Sequence, residues 1–303
     1  MSLINTNDQI NKIELKNPSA YLLDKYSNIS ITGKDAKHFL QGQLSCDLND
    51  ISITESGIGC YCNVKGRIVA YFDIFCINNG YMLNLPTDVA EKLFNALKKY
   101  AIFSKVEIRV ENDLKTIGIF ATNNNFFTNF NDEITQINQL CQPQNTYKLV
   151  TSIDKFSKLK NIINDQNINL NNANTWKYFL IINKIAEVSD LQSEQYLPAE
   201  LNLDKSKAIS FTKGCFMGQE VIARMKYIGK MKKSLQLMNI THCGNLSYGN
   251  KITANEKVIG EILNFVEIRD NAYVALSLVN NEAIENNIQF KLENFDEAII
   301  KIH

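Results

Sequence analysis

Apolar residues recur along the chain with a period of two in several short stretches and near 3.6 in a few longer ones. Asn28-Ile29-Ser30-Ile31-Thr32-Gly33 predicts a strand running into a turn. Asp35 then sits in the first turn of a helix through Leu40, where a carboxylate suits the dipole, and Gly42 marks its end. Residues 57–63 and 67–77 read as strands, with Lys65-Gly66 at a tight hairpin junction. A third strand, 81–85, stops at Pro86. Thr87-Asp88 opens a helix with an Asp88–Glu91 capping box, an apolar stripe of Leu93, Leu97 and Tyr100, and Lys98 and Lys99 at its cation-favouring end. Val106, Ile108 and Val110 alternate as the next strand. Together these elements make an α+β unit with an antiparallel sheet.

Further strands are predicted at 117–120 and 147–150, with an Asn-rich loop at 123–131 between them. Helices follow at 153–161 and from Thr175-Trp176. From about residue 235 the pattern changes to short strands only, at 235–240, 258–265, 272–278, 288–292 and 299–302. Gly244, Gly249, Asn250 and Asn280-Asn281 punctuate them, which predicts a separate small β-barrel.

Length and composition narrow the class. A chain of 303 residues exceeds the usual single core and should divide into two or three units. With 45% hydrophobic and 21% charged residues it reads as a soluble globular protein. Thirty-two Lys and Arg balance 32 Asp and Glu, which argues against direct nucleic-acid binding driven by global charge and requires any anion site to be local. No apolar run approaches the ~20 residues of a membrane span. The seven cysteines, an odd number without a leader-like segment at 1–16, read as free thiols of a reducing, intracellular compartment.

The densest chemistry lies at 208–225. Ala208-Ile209-Ser210-Phe211 is strand-like and 219–225 helical, with Val221, Ile222 and Met225 on one face. Lys213-Gly214-Cys215-Phe216-Met217-Gly218 makes the turn between them. A thiol near a helix N-terminus with Lys213 two residues away would experience positive potential, favouring thiolate. The alternative reading of Cys215 is a small buried hydrophobe.

Lys213, Gly214, Cys215, Phe216, Gly218, Gln219, Glu220, Ala223 and Arg224 match the signature of the YgfZ family, which the chain resembles. Residues 31–43, the Lys65-Gly66 hairpin and 97–106 agree in order and spacing, and the likeness runs from about residue 20 to 230. The resemblance implies an α+β, aminomethyltransferase-like three-domain ring of two α/β-sandwich units and a C-terminal β-barrel. The expected division is a discontinuous folate-binding domain (1–50 plus 112–230), an inserted ferredoxin-like domain (51–111) and the barrel (231–303). It implies a folate-binding accessory protein, with tetrahydrofolate in polyglutamylated form. Iron–sulfur client or assembly proteins would be its partners, among them enzymes that thiolate tRNA.

On that resemblance, Tyr26 and Trp176 correspond to aromatic positions at the folate, each alternatively a packed core ring, and Gln219 and Arg224 accompany them. Relatives continue after the tryptophan into Glu-Ala-Gly, where this chain has Ile182-Asn183-Lys184. Asn183, or Glu187 from the next helical turn, could serve the pterin edge instead. Aminomethyltransferases carry an Asp on the strand after the hairpin, where this chain has Ile68-Val69-Ala70. Asp73 lies farther along. The lack of that carboxylate weighs against two alternatives' leading member, a tetrahydrofolate-dependent aminomethyl transferase; the other is an RNA-binding module in tRNA modification.

Cys60 and Cys62 share one strand face, and Cys46 or Cys76 could join them, but the spacing matches no metal signature. Arg224, Lys226, Lys230, Lys232 and Lys233 form a basic run suited to a polyglutamate tail, to RNA phosphates, or merely to solvent.

Overall fold

A computed structural model of the chain describes residues 18–121, 136–139, 146–168, 170–229, 231–286 and 288–303. The Asn-rich stretch 123–131 and Lys230 lie outside them. The first half contains β1 (Ser19–Leu22), β2 (Tyr26–Thr32), α1 (Ala36–Gln43), β3 (Gly57–Cys62), β4 (Ile68–Ile77), β5 (Gly80–Pro86), α2 (Thr87–Tyr100), β6 (Glu107–Glu111) and β7 (Leu114–Phe120). Then come β8 (Gln136–Gln139), β9 (Thr146–Ser152), α3 (Ile153–Asp165), β10 (Leu170–Asn171), α4 (Ala173–Ile182) and α5 (Gln219–Tyr227). The last part holds β11 (Lys233–Thr241), β12 (Lys251–Ala254), β13 (Lys257–Arg269), β14 (Ala272–Asn280), α6 (Asn281–Glu285), β15 (Lys291–Leu292) and β16 (Ile299–Ile302).

These strands form three sheets, ordered β10-β1-β7-β9-β8, β3-β4-β5-β2-β6 and β15-β12-β13-β14-β11-β16. The short turn 23–25 carries the chain from β1 in the first sheet to β2, which lies centrally in the second between β5 and β6. Val89, Leu93 and Leu97 of α2 close over Ile29, Ile31, Leu83 and Leu85, all buried. Each such side chain contributes on the order of 1.5–3 kcal/mol by leaving water. The third sheet is a nearly closed barrel in which β15 approaches β16, filled by Met238, Ile240, Ile252, Ile262 and Ala275. β14 is buried along almost its whole length because its other side chains, among them Leu276 and Leu278, pack outward against Cys60, Cys62 and Ile68. That shared core fastens the barrel to the second sheet.

Several local expectations are corrected. Gly42 lies inside α1 and does not end it. α2 has no capping box; Asp88 instead accepts the backbone N–H of Asp190 at 3.2 Å. The Asn280-Asn281 turn signal caps the short helix α6, with the Asn280 side chain accepting the N–H of Glu282. The segment 208–211 is not a strand: its backbone is held by Ser45.

Candidate functional site

A cavity of about 980 Å³ lies where the three sheets meet, walled by Tyr26, Asp73, Asn84, Lys148, Glu187 and Leu235. Its volume is at the upper end of small-molecule sites. The polar wall follows from strand register. Asp73 on β4 pairs with Asn84 on β5, and Asn84 with Asn28 on β2, so one line of polar residues crosses the three strands. The Asn84 amide donates to Asn28 Oδ1 at 3.0 Å and to Thr116 Oγ1 of β7 at 2.9 Å, which stitches the second sheet to the first. Asn84 Oδ1 is buried and accepts no hydrogen bond among the described residues. Such an acceptor leaves a desolvation cost that a donor ligand removes.

Lys148 on β9 donates to Asp73 Oδ2 at 2.5 Å, both side chains being nearly excluded from water, and its ammonium lies 4.1 Å above the Tyr26 ring. The Tyr26 hydroxyl donates to the Glu187 carboxyl. Glu187 is half-buried, its accessible surface opening on the cavity, and burial pushes its carboxyl up to about 7.

Glu187 arrives there by a route not visible in the periodicity. α4 ends at Ile182, so Glu187 is beyond the helix and not on its next turn. The N–H of Lys184 bonds to Ile181 O and that of Ile185 to Leu180 O, a Schellman reversal with Lys184 left-handed at φ 57°. The chain then runs along β13, where Asn264 accepts the N–H of Glu187 at 3.1 Å and donates to its carbonyl at 3.2 Å. With its backbone clamped on both sides, Glu187 directs its carboxyl at Tyr26.

Of the residues singled out in the sequence, Tyr26 and Asn183 line the cavity. Asn183 donates its amide to Phe179 O at 2.8 Å. Trp176, 1% exposed, does not line it. Its indole lies on Gly118, where a Cβ would stand 2.5 Å from the ring, and it backs the cluster against which Tyr26 packs. Gln219 and Arg224 are on α5, away from the cavity lining. Three lysines given no role from the sequence, Lys184, Lys205 and Lys207, do line it.

The signature turn is fastened to the cavity wall from behind. Ser45 Oγ donates to Ala208 O at 2.6 Å, and Ser210 N–H to Ser45 O at 2.8 Å. Lys213 turns inward, donating to Leu44 O and Cys46 O at 2.8 Å each, and burial pulls its ammonium below the ordinary lysine range. Gly218, at φ 80°, caps α5 against the Lys65-Gly66 hairpin; a Cβ there would stand 2.5 Å from Asn63 O and 2.9 Å from Gly66 Cα. The two glycine-bearing motifs thus touch backbone to backbone. Cys215 is left exposed on the outside of this turn. Cys46, Cys60 and Cys62 are buried free thiols, and burial pushes the Cys46 thiol, on the cavity wall, up to about 12. No group of residues suited to a metal ion occurs among the described residues. No described helix is long and apolar enough to cross a membrane.

No family model matches the chain. It is 31% identical to the tRNA-modifying protein YgfZ of Buchnera aphidicola subsp. Schizaphis graminum, over 92% of each chain. To the tRNA-modifying protein YgfZ of Aliivibrio fischeri it is 29% identical, over 92% of this chain and 90% of that one. Against that of Vibrio atlanticus the identity is 28%, with coverage of 91% and 88%. Among solved structures, the glycine cleavage system aminomethyltransferase T of Bartonella henselae superposes with a TM-score of 0.74 at 14% identity, covering 94% of this chain and 85% of that one. This chain therefore has the aminomethyltransferase fold.

Proposed function

The chain belongs to the YgfZ family, and from that premise we propose that it is a cytoplasmic folate-binding accessory protein in tRNA modification. In this reading it supports iron–sulfur enzymes, including those that thiolate tRNA, and Cys215 is its reactive thiol. The supporting observation is the cavity wall. A pterin ring presents a planar edge of N–H donors, and the unpartnered Asn84 Oδ1 and the Glu187 carboxyl are acceptors placed for such an edge, beside the ring of Tyr26. Tetrahydrofolate, when bound, supplies a carrier of one-carbon units. The protein's own groups bind and orient it: Glu187 and Asn84 hold the edge, and Lys184, Lys205 and Lys207 match the carboxylates of a glutamyl tail better than the 224–233 run does.

A binding role is favoured over aminomethyl transfer. Ile68-Val69-Ala70, the stretch that on the resemblance stands where transferases carry the carboxylate, is apolar and buried in the core, and Asp73 is engaged by Lys148. Calorimetric titration with tetrahydrofolate tests the reading. The wild type should bind, and Glu187→Leu should weaken binding about tenfold, as leaving a buried hydrogen-bond partner unsatisfied does. No binding by a folded wild type would sink it.

A further inference from the structure

We propose that the exposed tip at Ile102-Phe103 is a docking surface for unpaired RNA bases, independent of the folate reading. At the end of α2 the chain makes one 3-10 turn, Ala101–Phe103, and leaves Phe103 95%, Ile102 76% and Tyr100 45% exposed. An aromatic ring this far out of the core contributes nothing to folding, and clustered exposed apolar side chains mark interaction sites.

The tip is held rigidly. Ser104 N–H bonds to Ala101 O at 2.9 Å, and Lys105 N–H to Asp35 Oδ2 at 2.8 Å. Gly33 lies so close to the Lys105 carbonyl that a Cβ would stand 2.3 Å from it. The ring is thus presented without the ordering cost that a flexible loop would incur on binding.

Cations surround it. Lys98 and Lys99 are in the last turn of α2, Lys105 follows the tip, and Lys34 adjoins the Gly33 contact, with Lys37 on the exposed side of α1. None of these lysines forms an ion pair among the described residues. Of the acids adjacent in sequence, Asp35 accepts the Lys105 N–H and Glu107 pairs with Arg109 at 2.5 Å, which leaves the five lysines in excess. A net charge of zero over the chain therefore conceals a local positive field around an exposed ring. That combination is the one single-stranded RNA recognises: bases stack on the aromatic while lysines meet the flanking phosphates. A convex tip suits splayed-out bases rather than the grooves of a duplex.

The test is fluorescence anisotropy with the full chain, using unfractionated tRNA, a short single-stranded oligoribonucleotide and its duplex. Single-stranded RNA and tRNA should bind more tightly than the duplex. Phe103→Ala should weaken binding about five- to tenfold with the salt dependence unchanged. Lys98→Gln, Lys99→Gln and Lys105→Gln together should lower the slope of log affinity against log salt by about 2. Lys232→Gln with Lys233→Gln should change neither. Phe103, Lys98, Lys99 and Lys105 are all exposed, so thermal unfolding of the tip variants should be unaffected. Absence of binding at low salt, or binding insensitive to both tip variants, would overturn the proposal. So would a Phe103-dependent complex with a purified iron–sulfur enzyme under conditions where RNA does not bind.

Discussion

Lys148 and Asp73 form a nearly water-free ion pair across the junction of the first two sheets, 2.5 Å apart, with the Tyr26 ring beneath the ammonium. Removing one member leaves the other charged and unpaired in the cavity wall. Lys148→Met should cost about 3–5 kcal/mol, whereas Lys148→Met with Asp73→Leu should recover most of it. Urea denaturation of the three proteins decides the matter: equal stability of the single and double variants would show that the pair does not act as a unit.

Glu187 makes a pH prediction with a definite sign. Its carboxyl stays protonated in the folded chain up to about 7, while in the unfolded chain it ionises near the ordinary value of about 4.3. Across that interval the unfolded state holds fewer protons, so this contribution to stability is complete below it and is lost as pH rises through it. Glu187→Gln should flatten the decline between those limits. An unchanged pH profile in chemical denaturation would refute the assignment.

Gly218→Ala places a methyl against Asn63 O with the backbone at φ 80°. A loss of about 1–3 kcal/mol is expected. Because Gly66 meets the same contact, Gly66→Ala should lower stability too, with the double variant losing less than the sum.

Lys184 holds the left-handed position of the Schellman reversal, where glycine is usual. Lys184→Gly should therefore raise stability by roughly 0.5–1 kcal/mol, read as a higher melting temperature, and leave Glu187 in place. A lower melting temperature would mean that the lysine side chain itself braces the reversal.

Cys215 should be alkylated by iodoacetamide in the folded protein well before Cys46, Cys60, Cys62 and Cys243, which are buried. Peptide mapping by mass spectrometry gives the order directly.

The helix α2 was legible because one of its faces is buried and the other wet, which writes its period into the sequence, although Tyr100, read as part of its stripe, lies 45% exposed. The Lys65-Gly66 hairpin and most barrel strands were legible from turn residues set between apolar runs, since β3, β4 and β14 are buried on both faces; β12, at 251–254, was missed. The wall of the cavity was not. Glu187 depends on a lysine adopting a glycine conformation and on Asn264, 77 residues later, gripping its backbone. Lys213 looked like a neighbour of the thiol because spacing carries no direction; its ammonium finds Leu44 and Cys46 instead, 169 and 167 residues away. Trp176 stands, on the resemblance, at an aromatic position of the folate site, yet the bare backbone of Gly118 beneath its indole records its packing role. Cys215 itself was found from its motif alone.

Ser45 grips Ala208 and Ser210 across a separation of 163 residues at the first of them, and nothing nearer in sequence holds that segment in a ladder. Its closure therefore needs the β3–β5 hairpins already in place and bears the entropy of a long loop. The thiol-bearing turn is therefore expected to form late in folding and to open before the sheets do, read as faster amide exchange at 208–213 than in β4; equal exchange would refute it.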